Sequence, residues 1–145
     1  MNSLPLISCI CVSKNINILN VIENFLQQTY KNKELIIVCH HDHPHLNYMN
    51  MKYNNTNNIS VNVVDKYRLG KLRNLGIEIS NGEYFIQWDD DDWYHCQRIE
   101  IQYNELIKSS KLALILKDVF MYITPQNKTY KFSRHFEGSI IMKKT

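Results

Sequence analysis

The chain has 145 residues, of which 44% are apolar and 21% charged, values typical of one soluble globular domain. Its apolar runs are strand-sized, far below the roughly 20 residues of a membrane-spanning helix, and we expect no signal peptide. The net charge of +3 conceals an acidic segment, because residues 76–105 hold eight acids and one base. The remaining bases are scattered rather than clustered in a stripe, so we expect no nucleic-acid partner; steeply salt-dependent binding would contradict this.

Cysteine usage and codon bias indicate the cellular setting of the chain. Its cysteines are Cys9, Cys11, Cys39 and Cys96, and the first two stand too close on one predicted strand to pair. We expect buried, reduced thiols and a cytoplasmic protein. Asn, Ile, Lys and Tyr, which have AT-rich codons, make up 57 of the 145 residues. This bias predicts an AT-rich genome, such as that of some large DNA viruses, in which case the cytoplasm is the host's.

The amino-terminal part of the chain predicts a β-α-β unit. Residues 6–12 and 34–39 are apolar runs, and apolar side chains recur at helical spacing over residues 18–26 between them. Continuous apolar strands joined by an amphipathic helix are typical of a parallel pair buried on both faces. Residues 40–58 lose the pattern, and we expect a long loop or an irregular helix there.

The rest of the chain continues the alternation of strands and helices. Residues 59–64 alternate as a strand, residues 69–79 repeat as a helix, and residues 83–88 form an apolar strand. A helix is expected at about residues 98–109. The tail predicts strands at residues 112–117, 119–124, 129–132 and 139–142, with a turn at residues 125–128. Together these elements predict an α/β fold with a mostly parallel central sheet.

Four consecutive aspartates, residues 89–92, follow the apolar strand 83–88 and are the strongest functional signal. Adjacent carboxylates repel and raise one another's pKa unless a cation compensates. Ligands of open α/β sheets bind beyond the carboxyl ends of the strands, and carboxylate oxygens suit Mn²⁺ or Mg²⁺. A solvated acidic turn beside a helix amino terminus is the alternative explanation.

Several short motifs occur in an order that resembles family 2 glycosyltransferases of the GT-A fold. They cover nearly the whole chain: ISCICVSKN at residues 7–15, QTY at 28–30, GKLRNLGI at 70–77, NGEYFI at 81–86, WDDDDW at 88–93, RIE at 98–100 and EGSIIMKK at 137–144. The resemblance implies a Rossmann-like three-layer sandwich in a single domain, residues 1–145. Residues 1–95 would form the donor-binding half, and residues 96–145 a short part lacking the usual acceptor and base region.

The resemblance also implies a metal site in the aspartate tetrad. Asp89 and Asp91 match the two acids of the family's D-x-D motif, with Asp91 as the principal ligand of Mn²⁺ or Mg²⁺. Asp89 and Asp90 would lie near the ribose or the waters of the metal. The ion would neutralise the diphosphate leaving group as the glycosidic bond breaks.

The remaining nucleotide-sugar contacts are implied in the same way. Arg73 matches an Arg-Asn pair that lies close to the diphosphate, and the structural alternative is pairing with Glu78. Ser13 and Asn15 match the loop that frames the nucleobase. Cys39 takes the place of an acid that often contacts the base or ribose.

The resemblance implies transfer of a sugar, with inversion, from a nucleoside diphosphate sugar to a glycan or other hydroxyl acceptor. We expect a UDP-sugar as donor. Glu137 lies near the position of the family's general base and is the candidate catalytic residue. The alternative is a non-catalytic module that binds nucleotide or metal, or a subunit completed by another chain. A homo-oligomer is one way of finishing the acceptor cleft.

The segment His40, His41, Asp42, His43 and His45 suggests a second kind of site. Imidazoles and a carboxylate are ligands of Zn²⁺. Pro44 and the Asn-rich sequence that follows enforce no ligand geometry, so a solvated loop is favoured over a zinc site.

Overall fold

Strands and helices alternate through a computed structural model of the protein, which describes residues 4–14, 17–54, 56 and 58–144. The order is β1 (Ile7–Ser13), α1 (Ile18–Leu26), β2 (Lys33–Cys39), α2 (Leu46–Lys52), β3 (Ile59–Val63), α3 (Leu69–Ile79), β4 (Tyr84–Gln87), α4 (Arg98–Ser109), β5 (Ala113–Ile123) and β6 (Lys128–Lys143). A 3₁₀ turn, Thr124–Gln126, joins the last two strands. None of the described helices has the length and hydropathy needed to cross a bilayer.

The strands form one sheet in the order β3-β2-β1-β4-β6-β5. β1 to β4 run parallel, so that Ile10 of β1 lies between Ile36 of β2 and Gln87 of β4. β6 is antiparallel to both β4 and β5. The carboxyl ends of β1 to β4 therefore meet at one edge of the sheet, where the aspartate tetrad begins.

Helices cover both faces of the sheet, which confirms the predicted three-layer arrangement. Cys9 and Cys11 of β1 face a cluster built with α1, α2 and α4, whereas Ile10 and Val12 face a smaller cluster that contains Leu72 of α3. Every residue of β1 is buried. This two-sided burial explains why β1 and β2 are continuous apolar runs in the sequence.

The structure differs from the sequence predictions at three places. Residues 40–58 contain a regular helix, α2, which buries only Met49 and so leaves little periodicity to detect. The strands predicted at 112–117 and 119–124 are one strand, β5, and those at 129–132 and 139–142 belong to one strand, β6. Cys96 is exposed, contrary to expectation, whereas the other three cysteines are buried and free.

The packing of α3 on the sheet predicts opposite effects for two glycines of that helix. A Cβ atom on Gly76 would lie 2.6 Å from Ile10 Cγ2, within the core, whereas one on Gly70 would meet no atom within 4 Å. We expect Gly76→Ala to lower stability by about 1–3 kcal/mol through overpacking. Gly70→Ala should be neutral or stabilising, because alanine favours helix by about 1 kcal/mol.

Thermal and urea unfolding of both variants checks this prediction. A loss of about 2–4 °C in Tm per kcal/mol is expected for a chain of this length. Equal Tm values for the two variants would contradict the close approach of α3 to β1.

Candidate active site

The candidate site lies at the edge of the sheet where β1 to β4 end. Ser13 is the last residue of β1, Cys39 the last of β2, and the tetrad begins two residues after β4. Polar side chains from these ends converge because parallel strands place their carboxyl ends together. Each of the four carboxylates has a different environment.

Asp89 is neutralised by a helix on the opposite side of the strand end. Arg73 of α3 donates from Nη2 to Asp89 Oδ1 at 3.0 Å, and Gln87 donates to the same oxygen at 2.7 Å. Both side chains of the ion pair are partly buried, so solvent screens the pair less than it would a surface pair. Arg73 therefore contacts the tetrad, and its predicted closeness to the diphosphate stays a prediction.

Asp90 turns to the end of β1. Its Oδ2 accepts a hydrogen bond from Ser13 Oγ at 2.9 Å and another from the Lys14 backbone N–H at 3.0 Å. Ser13 Oγ also lies 3.0 Å from His43 Nε2, while His43 Nδ1 accepts from the His45 backbone N–H. In neutral His43 the proton is therefore on Nε2, which donates to Ser13 and leaves the serine hydroxyl proton for Asp90.

Asp92 is held by Tyr94. The Tyr94 hydroxyl donates to Asp92 Oδ2 at 3.2 Å and accepts from the Asp89 backbone N–H at 2.9 Å. Burial raises the pKa of Asp92 above its usual range, and the nearby carboxylates of Asp91 and Asp89 raise it further. Ionisation of Asp92 therefore costs more than that of a solvated aspartate, and a nearby cation would lower this cost.

Asp91 is exposed and borders the smaller of two clefts at this edge. This cleft has a volume of about 190 Å³ and is lined by Asn17, Asn20, Val21, Asp90, Asp91, Asp92 and Trp93. Its lining contains three carboxylates and no basic side chain. The arrangement favours a cation at this point of the surface.

A buried guanidinium lies beneath the tetrad. Arg98 of α4 is 6% exposed, stacks on the Tyr94 ring at 3.8 Å and lies 5.0 Å from the Trp88 ring. It donates from Nη2 to the Gln87 carbonyl and from Nε to Gln102. Its positive charge lowers the pKa of Asp92 and partly offsets the carboxylate repulsion from below.

The larger cleft lies between the ends of β1, β2 and β3 and has a volume of about 380 Å³. Its lining residues are Ser13, Lys14, His40, Asp42, His43, Pro44, Lys66 and Tyr67. Asp42 pairs with Lys66 at 2.9 Å, and this contact lowers the pKa of the Asp42 carboxyl. The volume lies within the range of about 300–1,000 Å³ for small-ligand sites.

The side chains at this edge offer a partial coordination site for the predicted divalent ion. Among the described residues, no group of three or more His, Cys, Asp or Glu side chains is arranged to hold a metal. Mg²⁺-type ions are commonly held by one or two carboxylates together with substrate phosphates. Exposed Asp91 and electrostatically unfavourable Asp92 fit such a partial site, whereas the histidines of residues 40–45 do not form a zinc site.

The structure brings together some of the predicted site residues and leaves others apart. Ser13, Arg73 and the tetrad meet at the strand ends. The Cys39 side chain is instead buried in the core, where burial raises its thiol pKa to about 11. Asn15 lies outside the described residues.

Glu137 is exposed and lies next to Gly138, which approaches the tetrad: a Cβ atom on Gly138 would lie 2.5 Å from Asp89 Oδ2. β6 bulges between Phe136 and Ile141, where its register against β5 shifts, so the regular alternation of strand side chains does not apply at Glu137. Its role as general base stays a prediction.

Sequence reasoning missed several residues of this edge. His43, expected in a solvated loop, is 7% exposed because its ring packs against Ser13. Asp42, three residues past β2, supplies the larger cleft with the carboxylate that Cys39 cannot. The clustering of His and Asp in residues 40–45 was the available signal. Arg98 belongs to the RIE motif of the resemblance, but neither Arg98 nor Tyr94 was predicted to contact the tetrad, because aromatic and basic residues near a helix start are common.

The pKa of Asp92 predicts how stability depends on pH. A carboxyl whose folded pKa is raised contributes stability below its unfolded pKa and loses it as pH rises through the folded pKa. In metal-free buffer, Asp92→Asn should therefore gain in Tm over the wild type as pH rises from about 4 to 7.

Asp118 provides a control of opposite sign. Ser133 and Lys131 lower the pKa of its carboxyl, so Asp118→Asn should lose Tm relative to the wild type as pH rises. The loss should be small, since the group is exposed. Differential scanning fluorimetry over this pH range checks both trends, and an unchanged Tm difference for Asp92→Asn would contradict the raised pKa that burial and the neighbouring carboxylates give Asp92.

Comparisons with known proteins place the chain in a family. The model of Glycosyl transferase family 2 matches residues 9–144. Comparison with curated proteins gives no match. Solved structures similar to the chain include S. aureus TarS 1–349, with a TM-score of 0.73 and 17% identity over 94% of this chain and 46% of that one.

The same TarS fragment in complex with UDP and in complex with UDP-GlcNAc is also similar. Both have a TM-score of 0.66, with 18% and 17% identity over 79% of this chain and 35% and 34% of those chains. At such identities the likeness shows the fold, and the predicted GT-A fold is confirmed. The chain spans less than half of the TarS fragment that it matches best among these. Because the family model covers nearly all of the sequence, the chain belongs to glycosyltransferase family 2.

Proposed function

We propose that the chain binds a UDP-sugar across the strand ends with the help of Mn²⁺ or Mg²⁺. The nucleoside would occupy the larger cleft and the diphosphate would reach the tetrad. The observation that carries this proposal is the hydrogen-bonded link from the cleft to the tetrad, in which Ser13 joins His43 to Asp90. Binding of UDP and UDP-GlcNAc by the similar TarS fragment supports the choice of nucleotide.

Charges in the larger cleft suit such a ligand. Lys14 and Lys66 supply cations for phosphate oxygens, and Asp42 supplies an acceptor for a base or ribose donor. Loss of the Asp42–Lys66 ion pair on ligand binding would cost little, because both side chains are largely exposed and solvent screens their charges. Asp42 would thus take the role that the sequence assigned to position 39.

The carboxylates of the tetrad would have different roles. Asp91, in the D-x-D position, would hold the divalent ion with help from Asp92, and Asp89 would stay paired with Arg73. The ion would supply charge neutralisation to the departing diphosphate. Residues of the larger cleft would orient the nucleotide. The three carboxylates of the smaller cleft would repel any anion other than the metal-bound diphosphate.

We further propose inverting transfer of the sugar to a glycan or other hydroxyl acceptor. Glu137 is the candidate base that would take the acceptor proton. The second candidate function is a nucleotide- and metal-binding module whose acceptor side comes from another polypeptide. Exposure of Glu137 to solvent, rather than burial beside the tetrad, favours this second function.

Titration calorimetry with UDP, in Mn²⁺ and in EDTA, tests donor binding. We expect Mn²⁺-dependent binding that weakens at least about tenfold in Asp91→Asn, equivalent to about 1.4 kcal/mol. Glu137→Gln is the matched control, since it removes an exposed carboxylate outside the tetrad and should leave UDP affinity unchanged. If UDP affinity is the same in Mn²⁺ and in EDTA, and the same in the wild type and Asp91→Asn, the proposed metal site is refuted. Absence of any nucleotide binding would refute the donor site.

Turnover distinguishes the enzyme from the module. With Mn²⁺ and UDP-GlcNAc or other UDP-sugars, release of UDP is followed with and without hydroxyl acceptors. If Glu137 is the base, Glu137→Gln should lower kcat by about 10²–10⁴-fold while leaving UDP affinity unchanged. An unchanged kcat would exclude Glu137, and tight UDP binding without any turnover would favour the module.

A further inference from the structure

The last two strands extend beyond the sheet as a two-stranded ribbon, defined here as residues 117–135. β6 pairs with β4 only at its carboxyl end, around Ile141, whereas its earlier part pairs with β5 alone. Register shifts on both sides of Leu116 mark the point where the ribbon leaves the sheet. An isolated hairpin is marginally stable in water, so a ribbon of this kind is a candidate for contact with a partner.

One face of the ribbon carries apolar side chains along its whole middle. Cross-strand partners share a face and successive residues alternate, so the pairs Val119↔Phe132 and Met121↔Tyr130 lie on the same face, followed by Ile123. Met121 and Phe132 are 49% and 43% exposed. We call the face formed by Val119, Met121, Ile123, Tyr130 and Phe132 the apolar ribbon face.

Cations lie at the turn end of this face and at the base of the ribbon. Lys128 pairs with Ile123 and so lies on the apolar ribbon face near the turn. Lys117 and Arg134 come next along the two strands at the base. The ribbon's carboxylate, Asp118, lies on the other face, where it binds Lys131 at 3.0 Å and accepts from Ser133 at 2.7 Å.

This charge pattern disfavours a second copy of the chain as the occupant. If two apolar ribbon faces packed around a two-fold axis, cations at the turn would meet cations at the turn or at the base of the partner. Like charges brought together in this way oppose association. The fitting partner combines an apolar interior with an anionic surface.

We propose that the apolar ribbon face binds the surface of a membrane that contains anionic lipids. Its apolar side chains would enter the boundary between headgroups and acyl chains, and Lys117, Lys128 and Arg134 would contact lipid phosphates. Basic residues flanking an apolar surface are the pattern that anionic leaflets attract.

The base of the ribbon adjoins the candidate site. Gly138, three residues past the ribbon, approaches Asp89 closely, since a Cβ atom at that position would lie 2.5 Å from Asp89 Oδ2. A membrane-bound ribbon would therefore hold the tetrad near the lipid surface, where a membrane-anchored acceptor hydroxyl would be presented. This last link rests on the proposed function, whereas lipid binding itself does not.

Vesicle co-sedimentation of the full chain tests the proposal. Vesicles of phosphatidylcholine alone are compared with vesicles in which about a quarter of the lipid is phosphatidylglycerol. We expect binding to the anionic vesicles at least about tenfold stronger, and weaker at high salt. Met121→Ser with Phe132→Ser, on the apolar ribbon face, should lower vesicle affinity at least about tenfold.

Phe120→Ser with Tyr122→Ser is the matched control, because these aromatics are 70% and 57% exposed on the other face of the same ribbon. Its vesicle affinity should stay within about threefold of the wild type. Tm values and UDP affinity, measured on both double variants, separate lipid binding from unfolding and from failure of the donor site.

Three outcomes would overturn the proposal. The first is absence of binding to anionic vesicles, or equal loss in the two double variants. The second is a wild-type dimer, seen by light scattering, that dissociates when Met121 and Phe132 are replaced. The third is binding of single-stranded RNA by the same face with higher affinity than vesicles.

Discussion

Repulsion among four adjacent carboxylates is the constraint on which the site depends. The fold reduces this repulsion because three of the carboxylates accept hydrogen bonds from different parts of the chain. Arg73 of α3 donates a hydrogen bond to Asp89, Ser13 at the end of β1 donates to Asp90, and the Tyr94 hydroxyl donates to Asp92. Arg98 adds a buried positive charge below them. The tetrad therefore ties the two helical layers to the strand ends at the place where a ligand of opposite charge would bind.

The repulsion is reduced less at Asp91 and Asp92 than at Asp89 and Asp90. Asp89 and Asp90 have donors from neighbouring elements, whereas Asp91 is exposed and Asp92 has a raised pKa. The same four-residue run thus contains two carboxylates that accept hydrogen bonds from other elements, one exposed carboxylate and one carboxylate whose pKa is raised. Consecutive residues of one short run thus differ in their electrostatic environment.

The sequence predicted elements whose burial leaves a clear pattern. β1 and β2 are buried on both faces and appear as apolar runs, and α3 and α4 have one buried side each. α2 was harder to predict because Met49 is its one buried residue. The ribbon was divided into short strands because it is exposed on both faces, so that neither alternation nor an apolar run marks its length.

The parts of the candidate site that could be predicted are those whose residues stand close together in the sequence. Four consecutive aspartates and the motif around Arg73 identified one edge of the sheet from residues close in the chain. The contact of His43 with Ser13 joins residues 30 positions apart and depends on how the loop after β2 folds back. The position of Asp42 in the lining of the larger cleft depends on the same loop, so it required the structure.

The most direct measurement is X-ray diffraction at the manganese absorption edge from crystals of the full chain soaked with UDP and Mn²⁺. We expect one anomalous peak in coordination contact with Asp91 and a diphosphate oxygen, and the uridine in the cleft beside Ser13 and Asp42. A nucleotide bound elsewhere, or a peak away from the tetrad, would contradict the division of the four carboxylates proposed here.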